Sequence, residues 1–106
     1  MEGRTKKAEK ALTALAQIEN PRRIERIVNS VGYSLLEADR LKPALKVFEL
    51  NTKLFPEAFN AWDSLGEAFM KMGKDEEAIS CFEKSLEFNA ENTNAKEMIA
   101  RIQGGE

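Results

Sequence analysis

Histidine is absent from this 106-residue chain, which removes the commonest general acid–base residue and the commonest protein ligand for metals. Cysteine occurs once, at Cys81, so no intrachain disulfide can form and a reducing compartment is the expected setting. With no histidine to activate it, that thiol reads as a packing residue. No run approaches the roughly 20 apolar residues that a membrane span needs. The basic start, Arg4, Lys6, Lys7 and Lys10, is followed by residues 11 to 18, where Thr13 and Gln17 break the apolar core of a signal peptide. A cytoplasmic location is therefore expected. No glycine-rich phosphate loop is present, and Ser64 and Lys71 stand seven apart, too distant to act directly as nucleophile and base. Asp63 and Glu67 lie four apart without a ligand-rich loop, which is the pattern of solvated carboxylates and not of a hard-cation site. The basic cluster is short and has no aromatic residue among its charges to stack on a base, which argues against nucleic acid. The expectation is a protein that is not an enzyme and needs no cofactor or metal.

Proline and glycine are also sparse, three and six residues, so few breakers interrupt the chain. Apolar residues make up 42% and charged residues 32%, a balance that folds one small domain and leaves charge for solvent-facing helix surfaces. The net charge of −2 hides an asymmetry: residues 1–26 hold seven Lys/Arg against four Asp/Glu, whereas residues 57–106 hold five against eleven. Ordinary solvated helix faces account for this, and so does self-association that steers the basic end of one copy toward the acidic end of another.

What the chain does contain is a repeat. Gly32, Ala44 and Phe48 recur 34 residues later as Gly66, Ala78 and Phe82, and Ser30, Glu49, Glu57, Asn60 and Ala61 recur as Ser64, Glu83, Glu91, Asn94 and Ala95. Positions that change keep their character, as in Val28 to Trp62, Val31 to Leu65, Leu35 to Phe69, Val47 to Cys81 and Leu54 to Phe88. A fixed period of this length marks a stacked helical array.

Apolar spacing predicts the helices. Residues 5–19 form a flanking helix with a thin stripe through Ala8, Leu12, Leu15 and Ile18. Asn20-Pro21 caps and starts the next, which runs to about Ala38 with Ile24, Ile27, Val28, Val31, Leu35 and Leu36 on its apolar side. Residues 42–54 form its partner, with Pro43 in the first turn and Leu41, Ala44, Leu45, Phe48 and Leu54 inward. The second unit repeats the plan over 57–72 and 75–88, with a turn at Gly73 and with Asp75, Glu76 and Glu77 where a helix N-terminus favours negative charge. Residues 92–103 make a closing helix with Ala95, Met98, Ile99 and Ile102 on one face. The fold class expected is all-α: about six antiparallel helices stacked as pairs in a superhelix. The chain divides into a flanking helix (5–19), repeat 1 (22–56), repeat 2 (57–90) and a capping helix (92–103). A mid-helix glycine costs roughly 1 kcal/mol against alanine, so Gly32 and Gly66 imply close approach of the paired helix through Ala44 or Ala78, with Phe48 or Phe82 filling the space beyond.

At these residues the chain resembles the tetratricopeptide-repeat family. Trp62, Leu65, Gly66, Phe69, Ala78 and Phe82 match its pattern at the expected spacings. The preceding unit matches more loosely through Val28, Val31, Gly32, Leu35, Ala44, Phe48 and Pro56, and Ala90 stands where the second unit's closing proline is usual. The resemblance implies helix pairs whose first helices line a concave groove that holds peptide segments of partner proteins. The residues placed there are Arg26, Asn29, Ser30, Tyr33 and Glu37 from one unit, Asn60, Asp63, Ser64, Glu67, Met70 and Lys71 from the next, and Asn94, Glu97 and Arg101 beyond. Family members that grip a C-terminal carboxylate use lysine, asparagine and arginine. Here Asp63, Glu67 and Glu97 occupy much of the surface, so a basic or neutral extended peptide is the expected ligand. Trp62 is expected in the core and Tyr33 on the groove side as an anchor. A different class of function is also consistent with the residues. The run from Asn60 to Ala68, following Gly32-Tyr33 and Phe55-Pro56, looks like helical tails found after bacterial serine-hydrolase and esterase domains, which would make the chain an accessory module.

Overall fold

Asn20 opens the first complete helix as the spacing requires: its side-chain oxygen accepts the Arg22 N–H at 3.0 Å and Pro21 takes the first helical position. In the computed structural model, which describes residues 6–11, 13, 14 and 20–104, five helices follow one another. They are α1 (Pro21–Glu37), α2 (Leu41–Leu54), α3 (Phe59–Lys71), α4 (Asp75–Phe88) and α5 (Thr93–Gln103). Residues 6–11, 13 and 14 are helical as well. Leu12, Leu15 and Ile18 of the expected flanking stripe lie outside the described residues, and Ala8 is exposed. An exposed ion pair at 3.0 Å ties Glu9 to Lys53 on α2.

The 34-residue period is visible bond by bond. Arg40 N–H donates to Leu35 O and Asp39 N–H to Leu36 O, and one unit later Lys74 N–H donates to Phe69 O and Gly73 N–H to Met70 O. These are paired closures of α1 and α3 through a left-handed residue. That residue is Asp39 (φ 62°) in the first unit and Gly73 (φ 76°) in the second. The helix exits match too, Phe55 N–H to Asn51 O and Asn89 N–H to Ser85 O, both at 2.9 Å.

Two clusters form the core. Leu36, Ala44, Phe48, Leu65, Ala68 and Cys81 make one, with Tyr33, Leu35, Leu41, Leu45, Trp62 and Phe69 packed around it; Ala78, Phe82, Ala95 and Met98 make the other. Phe48 and Phe82 are fully enclosed. They also explain the glycines: a Cβ at Gly32 would collide with the Phe48 ring, and one at Gly66 would lie 2.8 Å from Phe82 Cε1. The helices close on the aromatic rings themselves, so the alanines are not what the glycines chiefly accommodate. Trp62 is half-buried and not enclosed; its Nε1–H donates to Pro56 O at 2.8 Å, which lets it pack on the core with its polar edge satisfied.

One expectation fails on α1. Apolar spacing puts Ile27 and Val31 on the inward stripe, yet they are 50% and 48% exposed. Their counterparts in the second unit, Ala61 and Leu65, are buried at 0% and 5%. The difference is positional: α3 has α2 packed against its leading side, whereas among α2–α5 that side of α1 has no helix stacked on it.

Candidate functional site

The first helices of successive units meet along one side, and a polar network joins them there. Asp63 on α3 is buried, and Glu67, one turn on, is half-buried. Asn94 near the start of α5 spans the two: its Nδ2 lies 3.0 and 2.9 Å from the Asp63 carboxylate oxygens and 3.0 Å from Glu67 Oε2. Asn92 adds a second amide, donating to Asp63 Oδ1 at 3.2 Å and to Ser85 Oγ at 2.8 Å. Ser85 Oγ–H then donates to Phe59 O at 2.8 Å, which locks α4 to the start of α3. From α1, the Tyr33 hydroxyl faces Ser64 and Glu67, and its ring meets Phe48 edge-on with centroids 5.2 Å apart.

The electrostatics follow from this packing. Burial pushes the Asp63 carboxyl up, the amides of Asn94 and Asn92 pulling the other way. Glu67 is raised by burial and then by the negative charge of Asp63, with Asn94 and Tyr33 opposing. Tyr33 is pushed up to about 12, chiefly by burial, so its hydroxyl stays protonated and available as a donor. Two carboxylates are thus drawn together by neutral donors, and among the described residues no cation pairs with either. The arrangement supplies acceptors for a positive group, in a partly desolvated place where an ion pair counts for more than at an open surface.

The remaining residues expected on this side are dispersed. Asn29 is half-buried, with Oδ1 shut from solvent and unbonded. Ser30 and Glu37 are exposed, as are Lys71, Glu97 and Arg101. Ser64 is only 1% exposed and sits in the seam behind the surface. Met70 packs against the second core cluster. Asn60 donates to Glu25 Oε1 at 3.1 Å, and Arg26 lines a cleft on the edge of the array together with Asn60. Cys81 is buried, and burial raises its thiol to about 11, which leaves it in the unreactive protonated form.

Sequence reasoning missed Asn92, Ser85, Asn51 and Glu25. The repeat held a signal for two of them: Asn51 Nδ2 donates to Glu25 O at 3.3 Å in the place where Ser85 donates to Phe59 O, 34 residues on. Asn92 has no such signal, because its counterpart in the first unit is Ala58.

Comparison with known proteins agrees with this architecture. A family model described as tetratricopeptide repeat matches residues 59–92. A tetratricopeptide repeat domain-containing protein of Arabidopsis thaliana, PYG7, chloroplastic, is 32% identical over 73 residues, which is 69% of this chain and 24% of the relative. The human superkiller complex protein 3 is 32% identical over 72 residues, 68% of this chain and 5% of the relative. The chain therefore spans a quarter or less of the curated relatives it matches. Among solved structures, a point mutant of MamA superposes with a TM-score of 0.68 over 98% of this chain and 74% of its own, at 19% identity, a likeness of fold. Residues 59–92 are thus a tetratricopeptide repeat, and the helix pair before them is closed by the same backbone bonds, 34 residues earlier.

Proposed function

We propose that this chain is a non-catalytic interaction module. Its shared face of α1, α3 and α5 holds an extended segment of a partner protein and receives a lysine or arginine side chain at Asp63 and Glu67. The observation that carries this reading is the pair of carboxylates bridged by Asn94 at 2.9–3.0 Å, with which no cation among the described residues pairs. An incoming guanidinium or ammonium meets acceptors already oriented, so little ordering is left to oppose binding. Tyr33, packed edge-on against Phe48, supplies an apolar wall with a polar tip beside the carboxylates, the kind of side chain enriched where interfaces concentrate their energy. The same charge argues against capture of a C-terminal carboxylate. No helix among the described residues is long and apolar enough to cross a membrane. On this proposal binding takes place in the cytoplasm.

An array of extended peptides of random sequence, probed with the purified protein, tests the reading. The expected result is enrichment of Lys or Arg at one position, with the enrichment lost and affinity lowered roughly tenfold in Asp63→Asn/Glu67→Gln. Equal binding by that variant, or enrichment of acidic peptides, would refute it.

A further inference from the structure

One edge of the array carries features that the shared face does not use. Because consecutive helices run antiparallel, the N-termini of α1 and α3 and the C-termini of α2 and α4 lie along the same edge. A cleft of about 680 Å³ opens there between the start of α1 and residues 55–60, lined by Pro21, Phe55, Pro56 and Phe59 and flanked by Arg22 and Arg26. Among the described residues neither arginine has an ion-pair partner. Of the carboxylates at the cleft, Glu25 is buried and already takes the Asn60 amide, and Glu57 is exposed to water. Further along the edge, Phe88 at the end of α4 is 40% exposed, with exposed Glu87 immediately before it in the chain and exposed Glu91 three residues after it. Phe59, in the cleft, is 38% exposed. The two large aromatic rings left open to solvent among the described residues thus share this edge, one beside a pair of arginines and the other beside a pair of glutamates.

We propose that the edge is a self-recognition surface. Two copies pair edge to edge about a two-fold axis; Phe88 of each enters the cleft of the other, and Glu87 and Glu91 meet Arg22 and Arg26. Each copy carries both halves of the contact on one edge, so a two-fold axis forms the contact twice and closes the assembly at two. Lys84 lies 5.6 Å from the Phe88 ring and 3.9 Å from Glu87 Oε2. That exposed pair is worth little in water, so exchanging it for the arginines of the second copy costs little. The residues differ from those that bind a cationic segment, so the two readings stand or fall separately.

Sedimentation velocity on the whole chain decides the matter. The expected result is a mass that rises with concentration from one chain to two and stops, with pairing strengthened roughly tenfold on lowering salt from about 0.5 M to about 0.05 M. Arg22→Glu/Arg26→Glu and Glu87→Arg/Glu91→Arg each weaken pairing by about tenfold or more, and an equimolar mixture of the two variants restores it, because the charges across the contact become complementary again. All four residues are exposed, and circular dichroism verifies that the helices are intact. A wild type that stays monomeric, growth beyond two chains, variants that pair like wild type, or a mixture that remains monomeric overturns the proposal. So does a monomer whose cleft binds an acidic, phenylalanine-containing peptide, since that assigns the cleft to another protein.

Discussion

Ala58→Asn copies into the first unit what Asn92 does in the second, and the gain it brings is calculable from the contacts. Ala58 is the N-cap of α3, in extended geometry (φ −82°, ψ 106°), and has no side chain to cap with. Asn92 holds the same position at α5 (φ −67°, ψ 94°); its Oδ1 accepts the Ala95 N–H at 3.4 Å while its Nδ2 donates to Ser85 Oγ. In the first unit the counterpart of Ser85 is Asn51, fully buried, whose Oδ1 has no partner. An asparagine at 58 supplies the side-chain cap that α3 lacks and a donor for Asn51 Oδ1. A restored N-cap is worth about 1 kcal/mol, and satisfying a buried acceptor about 1 kcal/mol more. After the loss of side-chain freedom, the net gain is roughly 1 to 2 kcal/mol. For a domain of this size that corresponds to a rise in Tm of about 4 to 10 °C. Urea and thermal unfolding followed by circular dichroism measure it. Ala58→Ser is the control, because a hydroxyl caps the helix but is too short to reach Asn51, so it should recover only the first part. If Ala58→Asn is no more stable than the wild type, the correspondence between the two units is wrong; if it equals Ala58→Ser, the account of Asn51 is wrong.

Four further outcomes follow from the same contacts. Asn92→Ala strips a cap and a buried donor to Asp63 and Ser85 at once, and should lower stability by about 2 to 3 kcal/mol in urea unfolding. Gly66→Leu drives carbon into the Phe82 ring and should cost about 1 to 3 kcal/mol; an unchanged Tm would sink the packing account of the glycines. Asp39→Gly places the residue of the second unit where the backbone is left-handed and should stabilise by about 0.5 to 1 kcal/mol, read as a shift in the urea midpoint. Asp63 and Glu67 are raised in the folded state above their ordinary values of 3.8 and 4.5, so in that window the folded chain binds more protons than the unfolded one. Their contribution is therefore most favourable below the unfolded values and is lost as pH rises through the folded ones. Relative to the wild type, Asp63→Asn/Glu67→Gln should be stabilised on going from pH 4 to pH 7, and the absence of any such crossover in urea titrations would contradict the assignment.

Much of this architecture is legible in the residues because the template is used twice. Gly32 with Phe48 and Gly66 with Phe82 announce a steric fit that neither unit alone would make convincing, and the cap at Asn20-Pro21 is local chemistry. What escapes is whatever depends on position in the stack. Ile27 and Val31 read as core, since hydrophobic periodicity reports which residues are able to be covered and not whether a neighbour covers them. Ser64 reads as surface, because a hydroxyl carries no sign of being enclosed. The meeting of Tyr33, Asp63, Glu67 and Asn94 draws on three helices, and the central role of Asn92 is invisible because its counterpart is an alanine.

The exposed side chains of Ile27 and Val31 on α1 bear on how such a molecule changes size. In a stack where each unit touches only its immediate neighbours, stability accumulates by junctions, and the two helix pairs here are closed by the same backbone bonds. Splicing one more copy of residues 57–90 ahead of Arg23 keeps the 34-residue period and would seat its second helix against Ile27 and Val31 as α2 seats against α3. The lengthened protein gains a junction without rebuilding the ones it has, so evolution or an engineer can alter reach and ligand span by counting modules while each seam keeps its chemistry.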